Sequence, residues 1–212
     1  MMKLILSVTI VSWMLFSTAA ALQCQQCSNE TCSATTDTTC EKDSACLTSS
    51  GLLTVSGVTD RGIIKTCVPA STCALGNQTF SQSVFNLSII LNASCCNTDN
   101  CNSGTLNFPT TPLPNNLQCY TCESTSPGCI KTQIQCKGVE DRCFRSEGTV
   151  ANTTVVSLGC TSTNLCTAGS NLDFTASGSK IQCCGTPLCN AASTTTTTTM
   201  YFLLGLLLFS FY

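Results

Sequence analysis

Twenty cysteines fall into two sets of ten, and the two sets share one spacing. The first set is Cys24, Cys27, Cys32, Cys40, Cys46, Cys67, Cys73, Cys95, Cys96 and Cys101; the second is Cys119, Cys122, Cys129, Cys136, Cys143, Cys160, Cys166, Cys183, Cys184 and Cys189. Each opens with C-x-x-C after Leu-Gln (at Leu22 and Leu117) and closes with Cys-Cys, four residues and Cys-Asn. Self-similarity of this kind marks two copies of one small module. A module of roughly 80 residues buries too little apolar surface to offset its chain entropy comfortably. Crosslinks typically worth about 2–4 kcal/mol each close that gap. Cysteine makes up 20 of 212 residues, a disulfide-scaffold composition.

The chain holds no histidine, and only 9% of its residues are charged. No Ser-His or Cys-His nucleophile pair can therefore be built. Zinc sites with His ligands are excluded too, although a four-Cys site is not. The C-x-x-C pairs are read as structural disulfides rather than zinc or redox motifs, because every cysteine has a counterpart in the repeat. The sequence thus predicts no enzyme, no cofactor and no metal.

Both ends carry addresses. Residues 1–21 read as a secretory signal peptide: Lys3 supplies the positive start, Leu4 to Phe16 an apolar stretch, and Thr18 to Ala21 small residues for cleavage. Entry into the secretory route permits disulfides to form. At the other end, residues 191–212 read as a removed glycosylphosphatidylinositol (GPI) signal. Met200 to Tyr212 is uncharged, and as a helix at about 1.5 Å per residue it falls well short of a ~30 Å hydrocarbon core. A polar Thr194–Thr199 run precedes it, and Asn190, Ala191, Ala192 and Ser193 are the small residues at which lipid attaches. The rivals are a transmembrane helix and a soluble secreted product. Between the ends, module one spans 22–102, a linker 103–116 with Pro109, Pro112 and Pro114, and module two 117–190. The prolines predict a semi-rigid linker. Segments such as 62–66, 83–94 and 154–158 read as strands of hairpins, and no helical stripe of useful length lies between the terminal signals.

The spacing C-x-x-C…C…C…C…C…C…CC-x4-CN resembles the LU domain of the lymphocyte-antigen-six and urokinase-receptor superfamily, and more distantly the three-finger snake toxins. The match covers both modules. Two tandem LU domains resemble the γ-type phospholipase A2 inhibitors and part of the urokinase receptor. The resemblance implies an all-β, disulfide-rich fold of two tandem three-finger domains. It also implies the pairing Cys24–Cys46, Cys27–Cys32, Cys40–Cys67, Cys73–Cys95 and Cys96–Cys101. In module two it implies Cys119–Cys143, Cys122–Cys129, Cys136–Cys160, Cys166–Cys183 and Cys184–Cys189. The seventh and eighth cysteines of module one, Cys73 and Cys95, depart from the urokinase receptor's first domain, which lacks that pair. Asn102 and Asn190 match the family's closing Asn, which implies a side-chain amide bonded to hub backbone. Asp99 matches an Asp of the family's last loop. Module two is read as carrying Leu188 there, so its closing loop is expected to be held differently.

Five N-x-S/T sequons, at Asn29, Asn77, Asn86, Asn92 and Asn152, are candidate N-glycosylation sites. Three of them crowd the third finger of module one, which is expected to be shielded. The second finger, 47–66, has no sequon. Its Leu52, Leu53, Val55 and Val58 lie beside Asp60 and Arg61, an apolar patch rimmed by charge and hence a candidate partner-binding site, the alternative being that they pack on a neighbouring finger or on module two. Lys131, Lys137 and Lys180 are too few and scattered for nucleic acid. The leading expectation is a GPI-anchored protein on the extracellular face of the plasma membrane. It would bind an extracellular protein through its finger loops, as a receptor, co-receptor or adhesion molecule. The alternative is a secreted inhibitor of an extracellular enzyme such as phospholipase A2. A modulator of ion-channel receptors is a third reading, weakened by the scarcity of charged and aromatic residues at the fingertips.

Overall fold

The structure, a computed structural model, describes residues 21–122, 129–150, 153–171 and 180–191. Residues 1–20 of the signal peptide, the Asn152 sequon, Ala192, Ser193 and the apolar C-terminus lie outside the described residues. The first domain holds β1 (Gln23–Asn29), β2 (Thr36–Thr39), β3 (Ser44–Val55), β4 (Val58–Pro69), β5 (Gln78–Val84) and β6 (Leu87–Cys96). The second holds β7 (Pro114–Cys122), β8 (Lys131–Lys137), β9 (Arg142–Val150), β10 (Thr153–Thr161), helix α1 (Thr163–Asn171) and β11 (Lys180–Cys184). The hairpins β1–β2, β3–β4 and β5–β6 are the three fingers of the first domain. The chain is thus an all-β, disulfide-rich protein of two three-finger domains.

All twenty cysteines are disulfide-bonded. The first domain contains Cys24–Cys46, Cys27–Cys32, Cys40–Cys67, Cys73–Cys95 and Cys96–Cys101. The second contains Cys119–Cys143, Cys122–Cys129, Cys136–Cys160, Cys166–Cys183 and Cys184–Cys189. In each hub, stacked disulfides take the place of an aliphatic core. Buried Cys24, Cys40 and Cys46 pack with Leu22, Cys67, Cys96 and Cys101, and buried Cys119, Cys136, Cys143 and Cys160 with Leu117, Ile134, Cys184 and Cys189.

A buried asparagine closes each hub. The Asn102 Oδ1 accepts the Gln25 N–H at 2.9 Å, and its Nδ2 donates to the carbonyls of Gln25 and Leu47. Asn190 accepts the Tyr120 N–H and donates to the carbonyls of Tyr120 and Phe144. Each amide therefore substitutes for a missing strand, satisfying backbone groups that water cannot reach. The two closing loops also correspond more closely than the sequence reading held. Leu188 occupies the place of Asn100, not of Asp99. Both adopt left-handed φ, 58° and 53°, and their N–H groups donate to the carbonyls of Gln118 and Gln23. Pro187 stands where Asp99 accepts the Gln23 N–H, so the second domain lacks that one side-chain acceptor.

Helix α1 was not legible as a stripe. Its sequence, TNLCTAGSN, offers too few apolar residues for an amphipathic face. A remote cap and a crosslink hold it instead. Asp141 accepts the backbone N–H and the hydroxyl of Thr163, and Cys166 is tied to Cys183. The Ser162-Thr163-Asn164 run, rich in N-cap residues, was the available signal.

The two domains share one sheet. Nine strands run in the order β11-β9-β10-β5-β6-β3-β4-β1-β2, and β7-β8 form a separate pair. The join is a short antiparallel ladder, Cys160 opposite Ser83 and Thr161 opposite Gln82. Gly159 makes it possible, because a Cβ there would lie 2.0 Å from the Ser83 carbonyl oxygen. Beside the ladder, the buried Glu140 accepts hydrogen bonds from the Ser81 and Ser83 hydroxyls at 2.9 and 2.7 Å. Its other oxygen accepts the Lys137 N–H. The third finger of domain one is therefore covered along its β5 edge by protein. The linker is not a free spacer either: β7 starts at Pro114, and the segment before it lies on domain one.

Candidate functional site

Where that linker lies decides which side of domain one is open. Cross-strand partners share a sheet face. The register of β3 with β4 and β6 puts Thr48, Ser50, Ile63, Lys65 and Ile90 on one face. The linker covers it. Ser50 donates to the Asn107 carbonyl at 2.8 Å, the Lys65 ammonium to the Ser103 carbonyl at 2.7 Å, and Ile63 packs on Phe108. Ser50 and Lys65 are 0% and 2% exposed. Burial pushes the Lys65 ammonium below its ordinary pKa.

The opposite face carries most of the apolar residues, yet is open. The pairs Val55–Val58, Leu53–Asp60, Gly51–Gly62 and Ser49–Ile64 lie across β3 and β4, with Leu87, Ile89 and Leu91 alongside on β6. Leu53, Val55, Val58, Ile64, Leu87 and Ile89 are all exposed, from 37% for Ile89 to 68% for Val58. This inverts the usual alternation, in which apolar residues face the core of a half-buried sheet. Polar side chains on the inner face have backbone carbonyls as partners; the apolar ones on the outer face have none. Contiguous exposed apolar surface of this kind makes this face the candidate interaction site.

The structure sorts the six sequence candidates into two groups. Leu53, Val55, Val58 and Asp60 share the open face. Leu52 and Arg61 are cross-strand partners on the linker side. There Arg61 pairs with Glu30 at 2.7 Å and lies over the Phe108 ring at 5.5 Å. Ile64, Leu87 and Ile89 complete the face and escaped the sequence reading, which treated each finger as a separate unit. The available signal was the alternation Leu87, Ile89, Leu91, in phase with Leu53 and Val55 once the two fingers pair.

The described sequons lie off the centre of this face. Asn92 is on the linker side, its Oδ1 accepting from Thr79 and its Nδ2 donating to the Asn107 carbonyl. Asn77 accepts the Cys95 N–H, and Asn29 accepts the N–H groups of Thr31 and Cys32. Asn86 lies in the β5–β6 turn, where its carbonyl accepts the Ser56 N–H of the neighbouring fingertip. Of the candidate attachment residues, Asn190 is buried in the hub; Ala191 follows it, its carbonyl accepting from Lys131. The sulfurs of Cys24, Cys40 and Cys67 cluster, as do those of Cys119, Cys136 and Cys160, but each sits in a disulfide and offers no thiolate to a metal. Among the described residues, no helix is long and apolar enough to cross a membrane.

Two family models match. Residues 20–104 match the u-PAR/Ly-6 domain, and residues 117–190 match the snake toxin and toxin-like protein model. The chain is 30% identical over 107 residues to the urokinase plasminogen activator surface receptor of Bos taurus, covering 45% of this chain and 31% of that protein. It is 32% identical over 105 residues to the same receptor of Rattus norvegicus, covering 45% and 32%. The match spans about a third of the length of each of these curated relatives.

Proposed function

The chain belongs to the u-PAR/Ly-6 and snake-toxin-like superfamily as two tandem three-finger domains, and from that premise we propose that it is a non-catalytic cell-surface binding protein, held by a GPI lipid and recognising an extracellular protein through domain one. The open apolar face around Leu53, Val55, Val58, Ile64 and Ile89 carries this reading. Such a face costs solubility and adds nothing to the hub, which leaves it free for a partner. The shared sheet and the linker strap hold it in a fixed orientation, which lowers the entropy lost on binding. Glycans at Asn77 and Asn92 would leave it clear, and one at Asn86, in the β5–β6 turn beside Leu87, would stand at its edge. The relatives' printed name, a surface receptor, agrees with the same role.

The anchor rests on the C-terminal sequence. Asn190 is sequestered in the hub, so attachment falls at Ala191, Ala192 or Ser193. A two-chain lipid, at about 0.8 kcal/mol per buried CH₂, holds a protein at a membrane without a spanning helix. Phosphatidylinositol-specific phospholipase C should shed the protein from intact cells. Retention after treatment, with an epitope beyond Tyr212 still present, would overturn the lipid anchor. Accumulation in the medium without lipid would favour the secreted-inhibitor alternative.

A further inference from the structure

Within the open face, one cross-strand pair has no side chains: Gly51 lies opposite Gly62. The gap is walled by Leu53, Ile64, Ile89 and Leu91, with Asp60 on its rim, and forms a cavity of about 290 Å³. That is at or below the small end of small-molecule pockets, which run from about 300 Å³ upward, so it suits one inserted side chain. The adjacent Arg61 is engaged with Glu30 and Phe108 on the other face. Asp60 has no ionic partner among the described residues. The rim is therefore apolar with one uncompensated negative charge.

We propose that the Gly51–Gly62 gap is a socket for one large apolar or aromatic side chain of an extracellular protein, with a neighbouring Lys or Arg of that protein paired to Asp60. The inference rests on the surface-receptor reading and names the contact. Glycine at both positions keeps the floor open. A leucine-sized side chain would close it, and the two positions differ in how well they tolerate one. At Gly51 a Cβ would sit 3.0 Å from the Ile90 carbonyl oxygen and 3.0 Å from the Leu91 Cβ, so substitution there strains the sheet. At Gly62 nothing lies nearer than the Asn29 carbonyl oxygen at 4.0 Å. Gly62→Leu thus fills the socket without disturbing the fold.

The test uses the mature two-domain protein shed or secreted by cells expressing the full chain, labelled with ¹⁵N-glycine and ¹⁵N-leucine. Acetyl-Phe-Arg-amide is titrated in, with acetyl-Phe-Glu-amide as the charge control. The Arg peptide should shift the amide signals of Gly51, Gly62, Leu53 and Leu91 saturably. Gly62→Leu should weaken this about tenfold or more. Asp60→Asn should erase the preference for the Arg peptide, about 2–5-fold for an exposed ion pair. Shifts that persist in Gly62→Leu, or are absent from these residues in the wild type, overturn the socket. Concentration-dependent self-association abolished by Gly62→Leu gives the face to a second copy and overturns it likewise. The surface-receptor reading fails separately, if the protein accumulates in the medium without lipid.

Discussion

Replacing Gly159 with valine drives a side chain into the seam between the domains. A Cβ there would stand 2.0 Å from the Ser83 carbonyl oxygen, and about 3.0 Å from the Phe144 Cε1 and Val84 Cγ1. Relief requires β10 and β5 to separate by more than about 1 Å, which breaks a ladder of only two residue pairs. The bonds flanking that ladder go with it. Seven of 3.2 Å or shorter cross the seam: Ser162 N–H to Ser81 O, Ser81 N–H to Ser162 Oγ, the Ser81 and Ser83 hydroxyls to Glu140, Phe85 N–H to Thr121 Oγ1, and the Asn164 amide to Gln78 Oε1 and Thr79 O. At about 0.5–1.5 kcal/mol net per bond, the coupling at stake is roughly 4–10 kcal/mol. Each domain keeps five disulfides, so each hub stays folded. Gly159→Val should therefore replace one cooperative melt with two transitions. It should also enlarge the radius of gyration in X-ray scattering and speed amide exchange at Ser81 and Ser162. A single transition at the wild-type midpoint, with exchange at those amides unchanged, would refute the shared sheet.

Three further substitutions probe the same account. Glu140→Ala leaves the buried Ser81 and Ser83 hydroxyls without their acceptor and should cost about 2–4 kcal/mol in denaturant unfolding, with Glu140→Gln costing less because one acceptor oxygen survives. Asn190→Ala removes the amide that satisfies Tyr120 and Phe144 backbone. It should lower the domain-two midpoint by a similar energy and cut secreted yield, and an unchanged midpoint would deny the hub role. Lys65 has a folded pKa below its unfolded value, so the unfolded chain binds more protons in the window between that lowered value and roughly 10.4. Stability should rise with pH across this window, and Lys65→Met should flatten the slope. An unaltered slope in the variant would place the titration elsewhere.

Much of the fold was legible because cysteine spacing repeats, and spacing survives where loop chemistry does not. The fingers followed from β-rich segments between cysteines. The join between domains did not, since it rests on Gly159 and on Glu140 reaching serines roughly sixty residues away, and no local pattern marks either. For the binding face, the candidates Leu53, Val55, Val58 and Asp60 share one face, but Leu52 and Arg61 point the other way. Alternation along β3 separates Leu52 from Leu53, and the sequence could not tell which side the linker would take. Polar Ser50 and buried Lys65 reverse the usual rule that the apolar side is the core side. Only the carbonyls of Ser103 and Asn107, delivered by the linker, make that reversal affordable.

Site-specific photo-crosslinking on living cells tests the central claim most directly. Benzoylphenylalanine is placed at Val58 or Ile89 on the open face, or at exposed Thr59, one residue along and on the linker side. After irradiation, Val58 and Ile89 should each yield a covalent adduct to the same extracellular protein, while Thr59 yields none or far less. Adducts from Thr59 with Val58 and Ile89 silent would contradict the account, by showing that the partner approaches the other side of the sheet.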